Sequence, residues 1–259
     1  MSDLLLEKSG AVATLWFDRP ERRNAVSYEM YREIPRLAGE VAADEAVRVL
    51  VVRGAGEVAF SAGADIKEFR TVRAGGEGAR RYNAAVAEAE RALAGLRVPS
   101  IAMIHGYCIG GGCGIAASCD LRLGDTQARF GITPARLGLV YGLESTKRVV
   151  DLVGPSTARF LLYSGRHLEA RRALECGLLD EIHEPSELER ATYGLAEEIA
   201  ARAPISVQGT KQMIARVLAG QTQDDEETVA LRNASFDSKD YEEGVTAFLE
   251  KRAPVFRGE

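Results

Sequence analysis

The sequence predicts an α/β fold in which strands and helices alternate through the first half and helices dominate the second. Three observations carry this. Segments such as Val49-Leu50-Val51-Val52 and Ser100–Ile104 are short runs rich in aliphatic residues, the pattern of strands buried on both faces. Between them lie longer stretches with helical spacing of apolar residues. Beyond Gly142 the helical spacing is nearly unbroken, so helical additions surround an α/β core.

Taken in order, Leu4–Lys8 and Val12–Phe17 read as two strands joined by the turn signal Ser9-Gly10. Asp18-Arg19-Pro20 ends the second. Ser27 is placed to cap a helix with Tyr31, Ile34, Leu37, Ala38 and Val41 on one face. Arg48–Arg53 is a buried strand. Phe60–Lys67 is a glycine-containing turn into a short helix, Thr71–Gly78 a mobile loop, and Ala79–Leu96 an alanine-rich helix. Ser100–Ile104, entered through Pro99, leads to the cluster Gly110-Gly111-Gly112-Cys113-Gly114, a short apolar helix and a strand at Leu121–Leu123. Leu179–His183 is the one strand expected in the second half. The last long helices are expected at Pro185–Arg202, Ser206–Leu218, Asp224–Phe236 and Lys239–Lys251.

A chain of 259 residues buries roughly three-quarters of its unfolded surface, enough for one sizeable core. Its net charge of -5 argues against nucleic-acid binding by bulk charge. No run approaches the roughly 18 apolar residues of a membrane span. The N-terminal residues lack a basic start and a long apolar stretch, so a cytoplasmic protein that binds no membrane is expected. Cys108, Cys113, Cys119 and Cys176 lack zinc-site spacing and, with His105, His167 and His183 the only histidines, predict buried reduced thiols and no metal. His105 reads as a satisfied core histidine.

The chemistry is concentrated in Arg19–Val26, Phe60–Lys67 and Ile104–Asp120. A glycine cluster after a buried strand and before a helix lets backbone N–H groups approach a ligand at the positive end of a helix dipole. One rival reading takes Gly112-Cys113-Gly114-Ile115-Ala116-Ala117 as a dinucleotide fingerprint. That fingerprint needs an acid about twenty residues on, and no Asp or Glu occurs between Asp125 and Glu144. No Lys-Ser/Thr pair follows the glycines, which excludes a P-loop.

Four pieces in order resemble the crotonase (enoyl-CoA hydratase/isomerase) superfamily over nearly the whole chain. They are Arg19-Pro20-Glu21-Arg22-Arg23-Asn24-Ala25, Phe60-Ser61-Ala62-Gly63-Ala64-Asp65-Ile66-Lys67-Glu68, His105-Gly106-Tyr107-Cys108-Ile109-Gly110-Gly111-Gly112-Cys113 and Thr246-Ala247-Phe248-Leu249-Glu250-Lys251-Arg252. The resemblance implies a spiral of ββα units in two nearly perpendicular sheets. Residues 1–195 would form the core with the CoA and oxyanion sites, and residues 196–259 a helical region for oligomerisation and CoA capping. It implies a homotrimer or dimer of trimers with an acyl-CoA substrate and no further cofactor. The oxyanion donors would be the N–H groups of Ala64 and Gly111, each worth about 3 kcal/mol of barrier. CoA would run along Arg22, Arg23, Ala25, Ala62, Ala64, Asp65, Ile66 and Lys67, with the two arginines suited to its phosphates. Phe248 and Lys251 would reach the CoA of a neighbouring subunit, and the acyl part would point toward Gly114, Pro134 and Tyr141.

The chain departs from a hydratase at both glutamates that the family uses as general acid and base. Their places are Gly114 and Pro134. The segment Thr133-Pro134-Ala135 with Tyr141 resembles the methylmalonyl-CoA decarboxylase branch, although Ala64 stands where that branch has a histidine. Decarboxylation generates the enolate without a base, and a substrate carboxylate prefers a pocket without Glu. Decarboxylation of a short carboxyacyl-CoA is therefore the leading expectation, with Tyr141 and Thr133 holding the carboxylate. The alternatives are an isomerase or atypical hydratase in which Glu144 supplies a relocated carboxylate, and a non-catalytic CoA-binding or scaffold protein.

Overall fold

The computed structural model describes residues 3–259. Two sheets organise it. The first has six strands in the order β1-β2-β3-β5-β7-β10, and the second has four in the order β4-β6-β8-β9. The strands are β1 (Leu4–Ser9), β2 (Val12–Phe17), β3 (Val49–Gly54), β4 (Ala59–Ser61), β5 (Ser100–Ile104), β6 (Tyr107–Ile109), β7 (Leu121–Asp125), β8 (Arg129–Gly131), β9 (Leu168–Glu169) and β10 (Glu181–His183). β1 and β2 form an antiparallel hairpin, after which every pairing in the first sheet is parallel.

The helices are α1 (Tyr28–Ala43), α2 (Gly75–Ala94), α3 (Gly111–Ser118), α4 (Leu143–Ser164), α5 (Ala170–Glu175), α6 (Pro185–Ala200), α7 (Pro204–Leu218), α8 (Glu226–Phe236) and α9 (Lys239–Glu250). A repeating unit emerges: β3-β4-α2, β5-β6-α3 and β7-β8-α4 each give one strand to each sheet and then a helix. This is the expected ββα spiral. The chain turns from one sheet to the other at tight corners, of which Gly106 is the clearest. Its φ is +52°, and a Cβ there would lie 2.2 Å from the Val58 carbonyl oxygen, so only glycine fits.

Ser27 caps α1 by accepting from the Met30 N–H. The predicted face of Tyr31, Ile34, Leu37, Ala38 and Val41 is fully buried. On the other face of the six-stranded sheet, Leu188, Ala196 and Ala200 of α6 pack against Val49, Val51, Ile101 and Met103. The predicted strands and late helices agree with the structure to within a few residues. One expectation is corrected: Thr71–Gly78 is not all loop, because α2 begins at Gly75. Glycine is a poor helix former, but the buried stripe Tyr82, Ala85, Ala89 and Leu93 overrides that weak local preference. A second correction concerns Leu179–His183, which is not the only strand of the second half, since β9 also lies there.

Candidate active site

The successive strands of the smaller sheet end on one cavity of about 350 Å³. β4 delivers Ala62, Gly63 and Ala64, β6 delivers Gly110 and Gly111, and β8 delivers Thr133 and Pro134. α1 and α2 supply Tyr31, Tyr82, Asn83 and Val86, and the segment entering α4 supplies Tyr141, Glu144 and Ser145.

The Arg19–Val26 turn is stitched to the strand beneath it. Ala62 N–H donates to the Arg23 carbonyl at 2.9 Å, Val26 N–H to the Gly63 carbonyl at 2.8 Å and Asp65 N–H to the Val26 carbonyl at 2.9 Å. Buried Asn24 uses its amide on the Ala55 and Ala59 carbonyls. With the Gly63 N–H donating to Ser61 Oγ at 3.1 Å, the N–H groups on either side of Ala64 are used but not its own. Gly111 opens α3, where the first N–H groups have no partner within the helix. Among the described residues neither the Ala64 nor the Gly111 N–H has an acceptor. A Cβ built on Gly111 would lie 3.6 Å from Ala64 N, and one on Gly63 would lie 3.4 Å from Gly111 N, so the two free donors are neighbours at the cavity wall.

The cavity wall is aromatic around Tyr82. Its ring stacks on Tyr28 at 5.9 Å and meets Tyr31 and Phe69 edge-on at 5.8 and 5.7 Å. The Arg73 guanidinium lies 5.0 Å over the same ring. Burial pushes the Tyr31, Tyr82 and Tyr141 hydroxyls above the usual phenol range, so all three stay protonated at neutral pH. The hydroxyls of Tyr82 and Tyr141 are buried without a hydrogen-bond partner.

Both expected glutamate places are without acid, as Gly114 and Pro134, but a carboxylate from another element lies behind the cavity wall. Glu90 of α2 is 1% exposed and comes up against Gly114. A Cβ built on Gly114 would lie 2.2 Å from Glu90 Oε1 and 3.1 Å from the Tyr141 hydroxyl. Glu90 Oε2 accepts from Ser145 Oγ at 2.6 Å and from Arg148 at 2.9 Å. Burial pushes the Glu90 carboxyl above its ordinary range, and the Ser145 and Arg148 contacts offset this only in part. Glu144, the expected alternative acid, lines the cavity, is half exposed and ion-pairs with Arg91 at 2.9 Å. Sequence reasoning missed Glu90 even though the signal was present, a lone acid at helical spacing among Tyr82, Ala85, Val86, Ala89 and Leu93.

Seven of the predicted site residues line the cavity: Ala62, Ala64, Ile66, Gly111, Thr133, Pro134 and Tyr141. Thr133 does not cap its turn through its side chain. Gly114 does not line the cavity, because Glu90 packs on it. Arg22, Arg23, Ala25 and Lys67 lie outside the lining on the adjoining turns, with Arg22, Arg23 and Lys67 exposed. Asp65 was expected to contact CoA, but its carboxylate is buried and committed to Arg19 at 3.1 Å, Arg22 at 3.0 Å and the Lys67 N–H at 3.2 Å. Burial alone would raise its pKa, but the hydrogen bonds from Arg22, Lys67 N–H and Arg19 together hold it below the ordinary carboxylate range. Phe248 and Lys251 are exposed on the C-terminal helices, away from this cavity. His105 is a satisfied core histidine, 3.1 Å from Asp125. Three cysteines are buried, as expected, and Cys176 is half-buried.

The family model described as enoyl-CoA hydratase/isomerase matches residues 7–259. A short-chain-enoyl-CoA hydratase of Clostridium acetobutylicum is 36% identical, covering 97% of this chain and 96% of its own. A crotonyl-CoA hydratase of Syntrophomonas wolfei is 32% identical, covering 98% and 97%. Among solved structures, an enoyl-CoA hydratase/isomerase family protein from Hyphomonas neptunium superposes with a TM-score of 0.96 at 37% identity, covering 100% of this chain and 98% of that one.

Proposed function

This chain belongs to the enoyl-CoA hydratase/isomerase family, and on that premise we propose that it adds water across the double bond of an enoyl-CoA. The observation that carries the proposal is the pair of unused N–H donors at Ala64 and Gly111. Attack at the β-carbon moves negative charge onto the thioester oxygen, and fixed donors beside that oxygen stabilise the transition state more than the ground state. CoA lies along the Arg22–Ala25 and Ala62–Lys67 turns, with Arg22 and Arg23 toward its phosphates. The acyl chain enters the aromatic cavity, whose modest volume suits a short or medium chain.

Hydration is preferred over decarboxylation because the case for decarboxylation was a site without acids, and the Glu90 carboxylate lies close behind the cavity wall, against Gly114 and beside Tyr141. The names of the relatives point the same way. Residues 1–195 form the catalytic core in this reading. Residues 196–259 form the oligomerisation region of a cytoplasmic trimer or dimer of trimers. The exposed Phe236, Phe248 and Leu249 support that assignment, since large apolar groups at 55%, 83% and 74% exposure favour cover by a neighbour.

The test is to incubate the protein separately with crotonyl-CoA and methylmalonyl-CoA and follow the products by mass spectrometry. The expected product is 3-hydroxybutyryl-CoA from the first. Loss of CO₂ from the second with no hydration of the first would overturn the proposal in favour of decarboxylation. Tight binding of both with turnover of neither would leave a CoA-binding scaffold.

A further inference from the structure

The buried carboxylates Asp65, Glu90, Asp125 and Asp240 differ in one respect. Both oxygens of Asp65, Asp125 and Asp240 accept hydrogen bonds from the protein. In Glu90 only Oε2 does, through Ser145 and Arg148, and Oε1 has no hydrogen-bond partner among the described residues. That free oxygen faces the gap left by the missing side chain at 114, and the unpartnered Tyr141 hydroxyl faces the same gap.

We propose that Glu90 is the acid–base catalyst of this site, reaching from α2 into the space that glycine at 114 keeps open, with Tyr141 as the second group on the water. The proposal rests on the hydration reading. Arg148 and Ser145 fix one carboxylate oxygen and leave Oε1 aimed at the gap. A water held between Oε1 and the Tyr141 hydroxyl loses a proton to Oε1 as its oxygen bonds to the β-carbon. The π pair moves through the α-carbon onto the thioester oxygen, where the Ala64 and Gly111 N–H groups hold it. The enolate then collapses, and the α-carbon takes the proton back from Glu90. Water is consumed, the carboxylate is regenerated, and no co-reactant is needed. Glycine at 114 is a requirement of this arrangement, because any Cβ there would overlap Oε1.

The test uses Glu90→Gln, which keeps an acceptor for Ser145 and Arg148, and the exchange pair Glu90→Ala and Glu90→Ala/Gly114→Glu. Two readouts are followed on the full chain: hydration of crotonyl-CoA, and deuterium uptake at the α-carbon of butyryl-CoA in D₂O. Glu90→Gln is expected to lower kcat by about 100-fold or more with little change in KM and to lower α-exchange in parallel. The double variant, whose new carboxylate enters the same gap from α3, is expected to recover at least about tenfold over Glu90→Ala. Wild-type hydration with Glu90→Gln activity within threefold overturns the role of Glu90 and leaves hydration standing. No hydration by the wild type, but α-exchange that Glu90→Gln abolishes, overturns hydration and upholds Glu90 as the proton carrier. Absence of both activities in the wild type overturns both. Should Glu90→Gln fail to fold, the comparison of Glu90→Ala with the double variant decides, and equal activity in those two overturns the proposal.

Discussion

Removing the Gly111 N–H without disturbing its surroundings would isolate one of the two donors. Position 111 opens α3, so its N–H is not used by the helix, and proline is tolerated at a first helical position. The obstacle is steric. A Cβ at 111 would lie 2.1 Å from the Tyr31 hydroxyl, whereas the next atom, Tyr31 Cζ, is 3.4 Å away. Tyr31→Phe removes the offending oxygen. Tyr31→Phe/Gly111→Ala and Tyr31→Phe/Gly111→Pro then both carry a Cβ, and only the first retains the donor. Loss of one oxyanion donor costs about 3 kcal/mol, or roughly 100- to 1,000-fold in kcat. The assay is the disappearance of enoyl-thioester absorbance at saturating crotonyl-CoA, with Tyr31→Phe as the reference. The alanine variant should stay within about tenfold of that reference and the proline variant should fall by the full factor. Equal rates in the two, or an alanine variant as slow as the proline one, would refute the assignment of the Gly111 N–H.

Other outcomes follow from the same coordinates. Glu90 must be ionised to take a proton, and burial raises its pKa despite Arg148, with Glu144 raising it further and Tyr141 and Tyr31 nearby. The acidic limb of the kcat profile should therefore fall as pH drops through a midpoint above the ordinary carboxylate range, and Glu90→Gln should abolish that limb. Asp65→Asn should destabilise the fold by about 1–3 kcal/mol at pH 7 in urea unfolding, because Arg19 and Arg22 lose a charged acceptor and buried Arg19 keeps only Asp3 as a carboxylate partner. Since the Asp65 pKa is depressed, its contribution is present above the ordinary carboxyl pKa and is lost as pH falls through the folded value. The difference between wild type and variant should accordingly shrink in acid. Arg22→Ala and Arg23→Ala should each raise KM for crotonyl-CoA by about fivefold with kcat nearly unchanged, the signature of lost uniform binding. Added salt should narrow the gap from the wild type.

The parts legible in the sequence were those with long or chemically distinctive patterns. β3 and β5 were visible because every residue is buried, and α1 because its capping serine precedes a regular apolar face. The Ala64 and Gly111 turns were visible through glycine-rich motifs that only close backbone approach explains. β4, β6, β8 and β9 were missed, since three or two residues cannot establish a period of two. Glu90 was missed for a different reason. Reading position 114 in isolation showed an absent acid, whereas the space vacated by its side chain is filled from a helix more than twenty residues earlier in the chain. A substitution to glycine removes a side chain from the sequence without emptying its place in the fold. Glu144 was visible from its position alone, and it lines the cavity, but its ion pairs with Arg91 and Arg148 were not.

In the proposed reaction two main-chain N–H groups share the thioester oxygen of the substrate. A crystal structure with acetoacetyl-CoA bound measures this directly. The thioester oxygen is expected about 3 Å from both Ala64 N and Gly111 N. A bound thioester whose oxygen contacts neither nitrogen, or is held by a side chain instead, would contradict it.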